Sequence, residues 1–274
     1  MIKKEGNIII EGSDNRPILI DITYKENKKC KKVVVFSHGF KGFKDWGAFN
    51  QIAKTFAQND FAFVKFNFSH NGTTTADTMN FVDLEAFGNN NFCKELDDLG
   101  FVLDWVEENF INVKIYLFGH SRGGGISMLK TAEENRISKV VSWASPSDFT
   151  NRMSEERIAI WKEKGVAFIY NGRTKQNMPM YFQFYENSKA NKDRIDIKKA
   201  VGKMNIPQLI VHGSDDTTVK LSEAENLKKW NSDAQLHIIK GADHVLGAFH
   251  PYDLQEFPVH LMEAIDETMA FLKK

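Results

Sequence analysis

The sequence predicts an α/β fold, a mostly parallel central sheet flanked by helices. Two observations carry that expectation. Short apolar runs alternate with longer stretches of helical period, as parallel strands joined by crossover helices require. No internal repeat or low-complexity tract interrupts the alternation. The 274 residues, 42% hydrophobic and 26% charged, are enough to bury a large core, and they are read as a single domain over 1–274.

The elements follow in order. NIII and PILIDITY, joined by the turn-like EGSDNR, read as opening strands, and KKVVVFSH as a compact buried one. Phe49, Ile52, Ala53 and Phe56 then repeat at helical spacing. FAFVKFNF alternates, with Ala62, Val64, Phe66 and Phe68 on one face. The clearest helix has Phe92, Leu96, Leu99, Leu103, Val106 and Phe110 in one apolar stripe. The strand VKIYLF runs into a glycine-flanked serine and a helix with Gly125, Met128, Leu129 and Ala132 on one face. KVVSWAS, PQLIVHG and AQLHIIKG are further strands. Pro258, in a first helical turn, opens a closing helix with Leu261, Ile265, Met269 and Leu272 behind it.

Composition excludes several function classes. Lys plus Arg and Asp plus Glu both total 36, so no net field attracts nucleic acid or an acidic partner. The one dense basic run, Lys28, Lys29, Lys31 and Lys32, reads as a solvated turn before a buried strand. Cys30 and Cys93 lack the spacing of a zinc site and cannot form a disulfide framework, which fits a reducing compartment. The start resembles no signal peptide and no apolar run reaches membrane length, so a cytoplasmic protein without a membrane partner is expected. H-E-x-x-H, Walker and dinucleotide patterns are missing, so no metal or organic cofactor is expected. The oligomeric state stays open, a homodimer included.

The chemistry concentrates in YLFGHSRGGGISM, Tyr116 to Met128. A serine on a sharp strand-to-helix turn holds its hydroxyl out of the sheet, and its neighbours must be nearly without side chains. Gly119 and Gly123 meet that demand around Ser121. The helix N-terminus places free N–H groups beside the serine, where an oxyanion would form. A helix-capping serine is the simpler reading of Ser121 taken alone. The remaining parts of an acyl-transfer site, however, follow in order. IVHGSDDTTV offers Asp215 and Asp216 after one strand, and IIKGADHVLG offers His244 after the last. His250 is the rival base, and Asp148, after KVVSWAS, the rival acid.

Gly119-His120-Ser121-Arg122-Gly123, His212-Gly213-Ser214-Asp215-Asp216-Thr217-Thr218-Val219 and Ala242-Asp243-His244 resemble the α/β-hydrolase superfamily. Within it, they are similar to the branch of dienelactone hydrolases, acyl-peptidases and cinnamoyl or feruloyl esterases. The resemblance covers roughly 33–145 and 207–274. It implies an α/β-hydrolase fold, with Asp216 rather than Asp215 as the acid of H-G-x-x-D-x-x-V. Ser37-His38-Gly39-Phe40 resembles the oxyanion segment, which implies backbone donors at Phe40 and Arg122 and a structural role for His38. Arg122 stands where Gln, Met or Leu is common in related esterases. The implied activity is hydrolysis of a small carboxylic ester by Ser121, His244 and Asp216. The alternatives are a serine peptidase of short peptides and a binding protein on a hydrolase scaffold.

Two connections exceed ordinary α/β loops: the polar 69–91 and the aromatic-rich 147–200. The second is read as a lid inserted after the sixth strand, with VAFIY before Asn171-Gly172 opening a hairpin and Arg152 to Lys164 a short amphipathic helix. It leaves the sheet beside the catalytic edge. Trp161, Phe168, Tyr181 and Phe182 are therefore its candidate substrate-binding residues, lining a pocket for a medium-chain or aromatic acyl group.

Overall fold

The computed structural model describes residues 1–26, 29–149 and 153–274. Lys28 of the basic run and Arg152 of the expected lid helix lie outside them. Ten strands and nine α-helices follow in chain order among the described residues. The first half holds β1 (Ile2–Glu11), β2 (Pro17–Lys25), β3 (Lys32–Ser37), α1 (Phe49–Gln58), β4 (Ala62–Asn67), α2 (Leu84–Gly88), α3 (Phe92–Asn109) and β5 (Lys114–His120). Next come α4 (Arg122–Glu133), β6 (Ile137–Trp143), α5 (Glu155–Lys164), β7 (Val166–Asn171), β8 (Gln176–Tyr181), α6 (Gln183–Ala190) and α7 (Ile197–Gly202). The chain closes with β9 (Gln208–Gly213), α8 (Leu221–Trp230), β10 (Gln235–Ile239) and α9 (Val259–Lys273).

Eight strands form one sheet in the order β1-β2-β4-β3-β5-β6-β9-β10. β2 pairs antiparallel with both neighbours, and every pair from β4 to β10 is parallel. The sheet separates two apolar layers. Leu96, Leu99 and Leu103 of α3 pack with Ile126 and Met128 of α4 on one face. Phe56 of α1 and Leu261, Ile265 and Leu272 of α9 pack on the other. The central strands are buried on both faces, which is why β3 and β5 read as unbroken apolar runs.

The structure refines several sequence expectations. β4 is buried throughout rather than on alternate residues. Its second face carries Lys65, fully buried and held by Asp21 at 3.0 Å and Asp45 at 2.5 Å, with Lys44 bound to the same two carboxylates. Burial of this cluster is tolerable because each charge meets opposite ones. Phe110 falls just past α3 in extended backbone, Ala132 is exposed, and Pro258 is the cap of α9 rather than part of its first turn.

Between β6 and β9, residues of α5, the β7–β8 hairpin and α6 border a cavity together with Ser121, the residue after β5. The hairpin is antiparallel, with Asn171 opposite Gln176 and Gly172 opening its four-residue loop. Further along, Ile195, Ile197 and Ala200 are buried in the main core against α3 and α4. The expected lid boundary at residue 200 therefore falls inside α7, which packs with the core. The polar connection 69–91 is also built in: Asp83 caps α2 by accepting from Ala86 N–H at 2.9 Å. The Tyr181 ring of β8 lies so close to Gly88 that a Cβ there would come within 2.8 Å of it.

Candidate active site

β5 ends at His120, and Ser121 takes φ 54°, ψ −126° before α4 begins at Arg122. A non-glycine residue in that region costs roughly 1–3 kcal/mol, so the surroundings must enforce it. Ser121 N–H donates to the Trp143 carbonyl at 2.8 Å, and the Ser121 carbonyl accepts from Gly124 N–H at 2.9 Å. Gly119 and Gly123 permit the turn because backbone occupies the space a side chain would need: a Cβ on Gly119 would meet Gly123 and Gly124, and one on Gly123 would meet Ser37 and His38.

Three sequence-expected residues meet here. With its proton on Nδ1, His244 donates to Asp216 Oδ2 at 2.8 Å and accepts from the Ser121 hydroxyl at Nε2, 3.1 Å away. Asp216 lies on the loop after β9 and His244 on the loop after β10. Asp216 Oδ1 accepts from Thr218 and Val219 N–H, both at 2.8 Å. Burial alone would raise the Asp216 carboxyl, but the His244 bond and those two amides hold it below its ordinary value. Asp215 is bonded by the Ser214 hydroxyl instead, and His250 accepts from Gly47 N–H. Asp148 borders a cavity beside Ser121.

His120 has a part that sequence reading missed. Its Nε2–H donates to the His244 carbonyl at 2.9 Å, pinning the loop that carries His244 to the end of β5. Burial lowers its pKa to about 3, so it makes that bond as a neutral ring. Its position directly before Ser121 was the available signal.

The segment after β3 passes against the serine, since a Cβ on Gly39 would sit 3.0 Å from the Ser121 Cβ. Phe40 follows it, and Arg122 N–H, first in α4, has no acceptor within its helix. The Arg122 guanidinium lies 4.0 Å from the Phe40 ring centroid and 3.3 Å from Glu95 Oε1. Glu95 also accepts from Asn90 Nδ2 at 2.7 Å. Burial pushes the Glu95 carboxyl up and the Arg122 guanidinium down, each opposed by the other's charge. This pair ties the Phe40 segment, α3 and α4 together.

Ser121 borders two cavities. The larger, about 880 Å³, lies between α4 and the segment after β6, with Phe92, Phe149, Trp161, Phe168, Phe184 and Tyr185 in its wall. Of the four aromatic candidates, Trp161 and Phe168 line it, while Tyr181 and Phe182 do not. Side chains alternate along β8, so Met180 faces the cavity and Tyr181 the opposite side, where its hydroxyl donates to Glu85. Phe182 packs edge-on against Trp161. The smaller cavity, about 350 Å³, is bordered by Phe40, Lys41, Trp46, Arg173, His244 and His250 among others. Among the described residues, no group of three His, Cys, Asp or Glu side chains stands ready to hold a metal ion. No helix there is long and apolar enough to cross a membrane.

His38, 4% exposed, donates from Nδ1 to the Gly39 carbonyl at 2.9 Å, and burial lowers its pKa to about 4. The unfolded chain therefore binds a proton near the ordinary 6.5 that the native ring refuses, and stability drains away as pH falls from that value toward 4. From pH 7 to pH 5 this group alone should cost about 2 kcal/mol. Urea unfolding across that range should show a shallower pH slope in His38→Gln than in the wild type. Equal slopes would mean that the buried ring takes up its proton as readily as the unfolded chain does.

The family described as serine aminopeptidase, S33, matches residues 28–171, just over half of the chain. The chain belongs to that family and is a serine hydrolase of the α/β-hydrolase superfamily. A Mycoplasma pneumoniae protein that carries an esterase/lipase name is 23% identical over 254 residues, 85% of this chain and 89% of that one. Est1E of Butyrivibrio proteoclasticus, solved with ferulic acid bound, superposes with a TM-score of 0.75. It shares 19% identity, over 97% of this chain and 100% of that one. A dienelactone hydrolase of Anabaena variabilis gives a TM-score of 0.66 at 14% identity, covering 99% of this chain and 97% of that one.

Proposed function

We propose that this protein hydrolyses small carboxylic esters through an acyl-enzyme. The observation that carries the reading is the continuous bonded chain from Ser121 through His244 to Asp216 at the C-terminal edge of the sheet. Ser121 attacks the acyl carbon as His244 Nε2 takes its proton, and Asp216 holds His244 in the required tautomer and favours the imidazolium. The backbone N–H groups of Phe40 and Arg122 receive the oxyanion. In the second half His244 draws a proton from water, which attacks the acyl-enzyme, and returns it to Ser121. The chain acts as a single domain over 1–274, and the segment from α5 to α6 serves as its cap. Labelling by a fluorophosphonate probe, together with turnover of p-nitrophenyl esters, tests the reading. No labelling would leave the binding-protein alternative.

A second reading, a peptidase of short peptides, draws on the family's own description. Matched ester and amide substrates with one acyl group separate the two. The ester reading expects the ester to be turned over and the amide to lag far behind.

The aromatic wall of the larger cavity fits a medium-chain or aromatic acyl group better than acetate. Burying roughly 100 Å² more apolar surface at ~25 cal/mol per Å² amounts to about 2.5 kcal/mol, close to a hundredfold in kcat/KM. Ile160 and Phe168 line this cavity yet stay largely exposed, 45% and 62%, so trimming them spares the fold. Ile160→Ala/Phe168→Ala should shrink the aromatic-to-acetate ratio about tenfold. An unchanged ratio would place the selectivity elsewhere.

A further inference from the structure

We propose that the smaller cavity is the leaving-group subsite, and that Lys41, Arg173 and His250 select there an alcohol carrying an anionic group, a carboxylate or a phosphate. The inference rests on the ester reading above and adds to it the chemical class of the alcohol.

The position follows from the proton. In acylation the bond from Ser121 Oγ to the acyl carbon forms and the bond from that carbon to the alcohol oxygen breaks. The proton that Ser121 gave to His244 Nε2 passes to the departing oxygen. The departing oxygen must therefore lie within reach of His244. Ser121 borders both cavities, but His244 borders the smaller one alone, together with Phe40. The alcohol belongs on that side and the acyl group under the cap.

The charge follows from the walls. Among the described residues bordering the smaller cavity there is no Asp or Glu, yet Lys41 and Arg173 both stand there. Lys41 reaches from the loop after β3 to the Tyr170 carbonyl of β7, at 3.4 Å. Arg173, in the β7–β8 loop, lies 5.2 Å from the Phe43 ring centroid and 5.5 Å from that of Phe81. Burial lowers both cations, and among the described residues no carboxylate pairs with either. Asp45, the acid that acts on His250, is itself engaged by Lys44 and Lys65. His250 accepts from Gly47 N–H at Nδ1 with a 3.0 Å separation, which leaves its neutral ring a donor at Nε2. Two cations and one N–H beside the catalytic histidine, with no acid among them, match an anion on the alcohol.

The test uses three esters of one acyl group, whose alcohols are 3-hydroxybenzoate, its carboxamide and 3-phosphonophenol. The wild type should prefer at least one anionic ester over the carboxamide ester by on the order of tenfold in kcat/KM, the size of a charge-assisted contact. Which anion gains more distinguishes carboxylate from phosphate. In Lys41→Met/Arg173→Met the anionic and neutral esters should fall within about threefold of each other. A wild type without preference, or a preference kept in the double variant, overturns the subsite. Failure of the ester reading looks different: none of the three esters would then be hydrolysed by the wild type.

Discussion

Ser121→Ala should lower ester turnover by about four to six orders of magnitude while the protein stays folded. The bonds that hold the turn run through the backbone of Ser121, to Trp143 and Gly124, and alanine keeps them. What disappears is the hydroxyl that donates to His244 Nε2. His244→Ala should be comparably severe. Asp216→Asn should cost about three to four orders, because an amide in place of Oδ2 favours the wrong imidazole tautomer. Asp215→Asn should do far less, since its carboxylate is held by Ser214 instead. Initial rates with a p-nitrophenyl ester and the urea midpoint check both halves. Near-normal activity in purified Ser121→Ala would remove the nucleophile assignment. A larger loss from Asp148→Asn than from Asp216→Asn would move the acid to the end of β6.

The sequence showed the parts whose meaning is local. A serine between glycines at a strand-to-helix junction is a short-range pattern, and strands of unbroken Val, Ile and Phe announce a sheet buried on both faces. Asp216 and His244, the proposed acid and base, stood out because each sits on a loop directly after a strand. Pairings between distant segments were not. Nothing near Lys65 in the chain reveals that Asp21 and Asp45 neutralise it, so β4 read as half exposed. Nothing near Arg122 reveals Glu95, reached only once α3 lies beside α4. The aromatic residues after β6 were visible as a composition, but their facing depends on the register of β7 against β8. That register points Met180 into the cavity and Tyr181 away from it. Likewise, 69–91 read as polar and loop-like, although its Asn71 and Thr73 bond in series with Asn67 at the end of β4, at 2.8 Å for each link.

Gly123→Ala should strike the fold itself, and through it the chemistry. A Cβ at residue 123 would lie 2.6 Å from the His38 carbonyl oxygen and closer still to that of Ser37. Both obstacles are backbone at the end of β3, so no side chain can rotate away to make room. Either α4 withdraws from β3 or the segment leading to Phe40 is pushed outward, and each movement separates Ser121 from that segment. Overpacking against side chains costs about 1–3 kcal/mol, and against fixed backbone the loss should reach or exceed the upper figure. Gly202→Ala is the matched control: it lies at the end of α7, where the nearest atom to a new Cβ is the Trp230 carbonyl oxygen at 3.9 Å. That change should leave stability within about 0.5 kcal/mol or raise it slightly. Urea midpoints and the rate of fluorophosphonate labelling, measured on both variants, separate the outcomes. Gly123→Ala should lose both midpoint and labelling, and Gly202→Ala should keep both. Were Gly123→Ala to match the wild type in each, α4 could not be seated as tightly on β3 as this geometry requires.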